Sequence, residues 1–340
     1  MAVEAVVAVE QIRPKELDML AMKISTQIGL IEKIARSGFI SIGLILALTC
    51  SRPITVLGAE PNTNFATPQE AADALAAAVK AEDPVALRAM FGPDLAEIEN
   101  PDRVQATNEF KAFAAKLQEG YRVTQVSAAK YEVEVGPSAW PFAIPIVQRA
   151  GRWSFDTAAG IEELLNRRIG NNELSALETM RAYVDAQRQY ASSDRDGDEV
   201  LEYAQKVISS PGKKDGLYWP ITQDGERSPF GPLVAEAQAG GYIVSKDLSP
   251  KPFEGYWFKI LTRQGTHAPG GKYDYIINGN MIGGFAMVAW PADYGNSGVM
   301  TFIVNQQGRV YQKDLGKKTD SVVRKMNEYD PDKSWRLSPD

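Results

Sequence analysis

Residues 255–314, GYWFKILTRQGTHAPGGKYDYIINGNMIGGFAMVAWPADYGNSGVMTFIVNQQGRVYQKD, decide the fold of this chain of 340 residues. Tyr256, Phe258 and Ile260 alternate with Trp257, Lys259 and Leu261, and four more short runs follow at 273–277, 285–290, 300–304 and 309–312. Each is rich in aromatic or β-branched residues and bounded by Gly, Pro or Asn, a pattern that predicts an antiparallel meander of about five strands. Residues 305–308 supply a hairpin turn, because Gly308 takes a positive φ at no steric cost. Such a sheet must bury one face, and the helical run at 172–192 is the element placed to cover it.

Working back from that sheet, Thr67-Pro68-Gln69-Glu70 reads as a capping box opening a helix with the apolar stripe Ala71, Leu75, Ala78 and Val79. A second helix starts near Asp83-Pro84, and a third, over 105–117, carries Phe110, Phe113, Ala114 and Leu117. Strand-like runs follow at 121–126, 131–135, 142–147 and 153–155. The expected class is therefore α+β: N-terminal helices with a curled antiparallel sheet, then a long helix packed on an antiparallel β-meander. Gly170-Asn171-Asn172 is expected to stop a charged bridging helix, with Asn172 capping the next one, in which Leu177, Met180, Val184 and Ala191 keep helical spacing. The expected organisation is a leader at 1–59, an N-terminal domain at 60–169, a roll at 170–316 and a polar tail at 317–340. Between 209 and 250 the chain is rich in proline and loop-like.

With 44% apolar residues the chain can bury a sizeable core, and a formal net charge of −6 without a Lys/Arg cluster argues against nucleic-acid binding. From Met22, the bases Lys23, Lys33 and Arg36 precede an apolar run at 39–48, and Gly58 and Ala59 offer small residues for cleavage. This reads as an export signal with the true start at Met22. A run of about ten apolar residues is too short for a permanent transmembrane helix, so a periplasmic or extracellular address is expected. Cys50, the single cysteine, would be the lipidated residue on an alternative lipoprotein reading, although Ala47 and Thr49 depart from the preferred pattern. After cleavage the chain would contain no thiol and no disulfide.

Three resemblances bear on the fold. Asp83, Leu87 and Phe91, with the later Gly151-Arg152-Trp153-Ser154-Phe155-Asp156 strand, loosely resemble a nuclear-transport-factor-2-like cone, whose members range from enzymes to adaptors. Asn172-Glu173, Met180-Arg181, Ala186-Gln187 and Tyr190 resemble the helix of type IV pilins and pseudopilins. They are followed by Gly255-Tyr256-Trp257-Phe258, the turn from Ala289-Trp290-Pro291 through Tyr294-Gly295 to Gly298, and Gly308-Arg309-Val310, which match that family's roll in order. Pilins place a glutamate five residues into a long membrane helix after a Gly-Phe cleavage site; here Gly38-Phe39 is followed by Gly43, so entry into a filament is not implied. From about Thr67 to Trp335 the chain closely resembles an exported bacterial family of unknown function, DUF2950, which implies an address but no activity.

Chemistry is sparse. Asp194, Asp196 and Asp198 occupy the first, third and fifth positions of a calcium loop, Val200 would offer its carbonyl at the seventh, and Glu202 could substitute as a later ligand. The pattern departs at Glu199, where Gly usually makes the turn, and at Gln205, where a bidentate Glu closes the site; a solvated acidic loop is the competing reading. His267, the sole histidine, sits in a Gly/Pro loop with no nucleophile elbow beside it. Asp215, Asp224, Glu226, Glu254 and Asp293 are candidate acids for hydrolysis, and Tyr218, Trp219, Trp257 and Trp290 are candidate stacking aromatics with core packing as the competing role. The expectation is an exported non-catalytic binding or interaction protein whose partner is an envelope protein or a glycan, with calcium as the one cofactor the pattern would take. The alternative is a periplasmic carboxylate-dependent hydrolase of cell-wall or polysaccharide substrate; a third option is a ligand pocket inside the N-terminal cone.

Overall fold

The structure, a computed structural model, describes residues 63–221, 225–242 and 251–339, which all fall in one compact unit. The expected leader, Cys50 and the cleavage region lie outside the described residues. Thr67 sets the first helix: its hydroxyl accepts the Glu70 amide at 3.1 Å, and the Glu70 carboxylate returns to the Ala66 amide at 2.7 Å. Helix α1 (Pro68–Lys80) buries Ala71, Leu75, Ala78 and Val79. Helices α2 (Pro84–Phe91) and α3 (Arg103–Glu119) each start from an aspartate, Asp83 and Asp102, whose carboxylate accepts two amides of the first turn.

Five strands follow: β1 (Tyr121–Ser127), β2 (Lys130–Val135), β3 (Trp140–Pro141), β4 (Ile146–Arg149) and β5 (Arg152–Phe155). They pair antiparallel in the order β1-β2-β4-β5, with β3 also on β2. Phe65 bridges to Trp153 and extends the β5 edge. The strand expected at 142–147 starts instead at Ile146, because Pro141 and Pro145 remove ladder donors from that run.

The expected helix stop at Gly170 is absent. One helix, α4 (Thr157–Tyr190), runs 34 residues straight through it. Gly170 costs a helix only about 1 kcal/mol, and Asn172 is not a cap. Its side chain is buried, donating to the Ser297 carbonyl at 2.8 Å and accepting from Gln105 at 2.5 Å, so a tertiary partnership takes the place of the cap. After α4, the Gln187 amide group holds residue 204 through both backbone groups of Ala204, at 2.8 Å each, and the short α5 (Gly231–Ala239) follows.

The C-terminal half contains β6 (Tyr256–Leu261), β7 (Arg263–Gln264), β8 (Tyr273–Asp274), β9 (Ile276–Ile277), β10 (Asn280–Met281), β11 (Ala286–Pro291), β12 (Met300–Asn305) and β13 (Tyr311–Asp314). Helix α6 (Thr319–Val323), β14 (Glu328–Tyr329) and β15 (Arg336–Leu337) complete it. The principal sheet is antiparallel in the order β15-β13-β12-β11-β6. The strand expected at 273–277 does not join it: β8 pairs with β7 and β9 with β10, because Gly283 lets the backbone pass against Tyr275, accepting only a glycine there. β6 pairs directly with β11 instead, β15 from the tail adds to the opposite edge on β13, and β14 runs parallel to β7.

Two apolar cores lie along α4. Leu164 joins the N-terminal one with Leu75, Phe91, Ile144 and Phe155, while Met180, Tyr183 and Val184 join the C-terminal one with Phe285, Val288 and Phe302. Tyr183 meets Phe285 edge-on at 5.5 Å and donates to the Ala286 carbonyl, which seats the helix on the sheet. The class is α+β. Among the described residues no helix is long and apolar enough to cross a membrane.

Candidate functional site

The N-terminal core is not filled. Helices α1, α2 and α3, the segment around Phe142 and the early turns of α4 flank a deep cleft of about 1120 Å³, open to solvent on one side and somewhat larger than usual small-molecule pockets. Its walls are apolar: Leu75, Val79, Leu87, Phe91, Phe110, Phe113, Phe142, Ile144 and Leu164. Leu87, Phe110, Phe113, Phe142 and Leu164 stay only partly buried although they belong to the core cluster, which is what side chains facing a hollow must do. The aromatic walls stabilise each other, with Phe113 stacked on Phe142 at 5.3 Å and Phe91 tilted on Phe155 at 5.1 Å.

Two polar corners interrupt the walls. In one, burial pulls the Arg168 guanidinium below its usual value while the charge of Glu109 acts against this, and burial pushes the Glu109 carboxyl up against a hydrogen bond from Asn100. Arg168 also reaches Asn296 of the C-terminal half. In the other, two bases approach the Trp140 ring: the Arg167 guanidinium 4.5 Å from its centre and the Lys116 ammonium 5.8 Å away. Arg167 is fixed by Glu163 at 2.7 Å and by the Pro141 carbonyl at 2.8 Å.

The acidic loop sits elsewhere, at the end of α4. One oxygen each of Asp194, Asp196 and Asp198 lies within 4.8 Å of the other two, all three residues being exposed. Asp194 accepts the amides of Asp196, Gly197 and Glu199, and these backbone bonds hold its carboxyl below the ordinary range. Glu199 takes φ 67°, the conformation for which glycine is usual, so the turn forms despite its side chain. Asp198 accepts from Asn280 at 2.7 Å, and Glu202 accepts the Met281 amide at 2.9 Å. Burial raises the Glu202 carboxyl, with the charge of Asp196 adding to it. Gln205 donates to the Gly279 carbonyl. Glu202, Asp198 and Gln205 thus tie the loop to the β9–β10 turn, and Val200 is half-buried between them in sequence.

The other candidates scatter. Asp215 pairs with Lys206 at 2.7 Å, Glu226 with Arg195 and Lys214, and Asp293 accepts from Asn296 within its own turn; Asp224 lies outside the described residues. Glu254 stands apart: burial pushes its carboxyl up to about 7, with the charges of Glu236, Glu178 and Asp102 adding. Exposed His267 bonds Asp330 at 2.9 Å, which raises its pKa. Trp219 and Trp290 are core residues, Trp290 stacking on Trp257 at 6.5 Å. The chamber's polar corner at Lys116, Trp140 and Arg167 had no sequence signature, because three separate elements supply it. The sequence shows only that α3 carries Phe110 and Phe113; that both stay half-buried emerges from the structure.

A family model described as "Protein of unknown function (DUF2950)" matches residues 62–337. The chain belongs to this family. Searches of the curated proteins and of the solved structures found no match. The family match spans both halves and includes the chamber and the acidic loop, and it lends no support to the pilin-like or cone-like resemblance.

Proposed function

We propose that this chain is an exported, non-catalytic binding protein of the cell envelope that holds a small ligand in the chamber of its N-terminal half. The observation that carries this is the 1120 Å³ cleft with its apolar lining. A concave surface of aromatic and aliphatic side chains left facing water is what a ligand site presents, so the cleft points to an occupant. Binding of a neutral apolar dye such as Nile red, followed by its fluorescence, tests the reading. The expected result is a saturable signal that Ala106→Trp, at a half-buried position of the lining, removes while the far-ultraviolet spectrum is unchanged. A folded protein with no saturable signal would sink it. Export is tested by N-terminal sequencing of the envelope fraction, where the chain is expected to begin near Ala59 or Glu60. In this reading the C-terminal helix and sheet serve as a pilin-type roll without a filament anchor, offering a face to an envelope protein or glycan.

A second reading, compatible with the first, is a structural calcium ion in the acidic loop, favoured by the convergence of Asp194, Asp196 and Asp198 and by the positive φ of Glu199. Glu202 and the Val200 carbonyl would complete the oxygen set, and with no bidentate ligand at Gln205 the affinity belongs in the millimolar range. Calorimetric titration should give heat that Asp196→Asn together with Asp198→Asn abolishes; no heat at millimolar calcium removes it. The hydrolase alternative would need two acids facing one groove. Asp215, Glu226 and Asp293 are held by partners within the protein, which supports the binding reading over it.

A further inference from the structure

The chain carries a formal charge of −6, yet four cationic side chains and two carboxylates line its chamber. The carboxylates are already balanced: Glu99 pairs with Arg103 at 2.9 Å, and Glu109 lies in the field of Arg168. The corner at Trp140 is different. Two of the N–H groups of Arg167 are spent on Glu163 and on the Pro141 carbonyl, and a guanidinium has five. Lys116 has no carboxylate or hydrogen-bond acceptor among the described residues, only the face of the Trp140 ring. The corner therefore offers the Lys116 ammonium, which has no carboxylate partner among the described residues, and the remaining N–H groups of an Arg167 already paired with Glu163, at the edge of an aromatic and aliphatic cleft.

On this geometry, and resting on the chamber reading above, we infer that the ligand is an anionic amphiphile: a hydrocarbon chain in the hollow with its carboxylate or phosphate head at Lys116 and Arg167. A charged head needs paired donors when it leaves water, and an ammonium beside a fixed guanidinium fork supplies them. A neutral apolar ligand would leave the corner's donors dependent on water, and a cationic one would meet like charge. Arg168 does not compete for the head, since its charge faces Glu109 and it bonds Asn296.

The experiment uses the full chain with four probes sharing one chain length, each below its micelle-forming concentration: laurate, dodecyl phosphate, dodecanol and dodecyltrimethylammonium. Displacement of Nile red gives the affinities. Laurate and dodecyl phosphate are expected to bind at least about tenfold more tightly than dodecanol, the scale of one charge-assisted contact, with the cationic probe weakest. Lys116→Glu should erase that preference and leave dodecanol unchanged, whereas Lys111→Glu, on the same helix but outside the lining, should alter neither. Laurate tighter than dodecyl phosphate, or the reverse, distinguishes an acyl carboxylate from a phosphate head. Equal affinities for all heads would overturn this inference and leave the chamber reading standing. Loss of all binding, dye included, in a folded protein would remove both. Anionic binding that survives Ala106→Trp would place the site outside the chamber and overturn the inference as well.

Discussion

Gly298 has no side chain because Tyr256 leaves no room for one: a Cβ there would lie 2.3 Å from the phenol oxygen and 2.7 Å from two ring carbons. Tyr256 is fully buried and donates to the Met300 carbonyl at 3.0 Å, so the ring cannot swing aside. Gly298→Ala is expected to cost about 2–3 kcal/mol, the scale of overpacking in a rigid core, read from urea unfolding. Glu254 is a residue-scale effect of the opposite kind. Its folded pKa of about 7 lies above its unfolded value of 4.5, so the folded state holds the proton more tightly. The sign follows: its contribution favours folding below pH 4.5, is lost as pH rises toward 7, and above 7 the ionised carboxylate costs on the order of 3 kcal/mol. Ser175 sits against that carboxylate, and Gln keeps an acceptor for it. Glu254→Gln should therefore raise stability at pH 8 by about 1–3 kcal/mol and change it little at pH 4.5, and denaturant midpoints at the two pH values give the comparison.

Helix α4 is the element on which the two halves meet. Its continuity through Gly170 has a consequence that can be measured: nothing lies within 4 Å of a Cβ at that position, and its φ is negative. Gly170→Ala should then stabilise by about 0.5–1 kcal/mol, because the unfolded chain loses freedom and the helix loses nothing. A thermal midpoint that fell would mean that the glycine serves a bend. Three residues later Glu173 accepts the amides of Val299 and Met300 at 3.0 and 2.9 Å, and beside it Asn172 bonds Ser297. The Asn-Glu pair thus holds the turn before β12 from the helix side. Both act at long range, whereas the sequence pattern assigns Asn172 to a local cap.

At the scale of the molecule, Gln105 and Asp102 on the N-terminal side meet Asn172 and Tyr242 through half-buried hydrogen bonds, Tyr242 donating to Asp102 at 2.7 Å. Asn172→Ala would leave the Ser297 carbonyl and the Gln105 amide without their partner, at a cost of about 2–3 kcal/mol. Both halves should still unfold in one transition, with tryptophan fluorescence and circular dichroism superimposing; separated midpoints would show that the joint does not couple them. Residue pattern alone determined the helices opening at Thr67 and Asp83, a third helix over 105–117, the α+β class, the strands β6, β11 and β12 and the family, because caps, turns and alternation are local properties of the chain. It also located the acidic loop, whose three aspartates are neighbours in sequence. It missed the unbroken α4, the diversion of Tyr275 out of the principal sheet and the recruitment of β15, since each was decided by a partner distant in the chain or by a glycine's fit against another backbone. The chamber belongs to the same class. A hollow is the space left between elements, and no single segment records how far its neighbours stand from it.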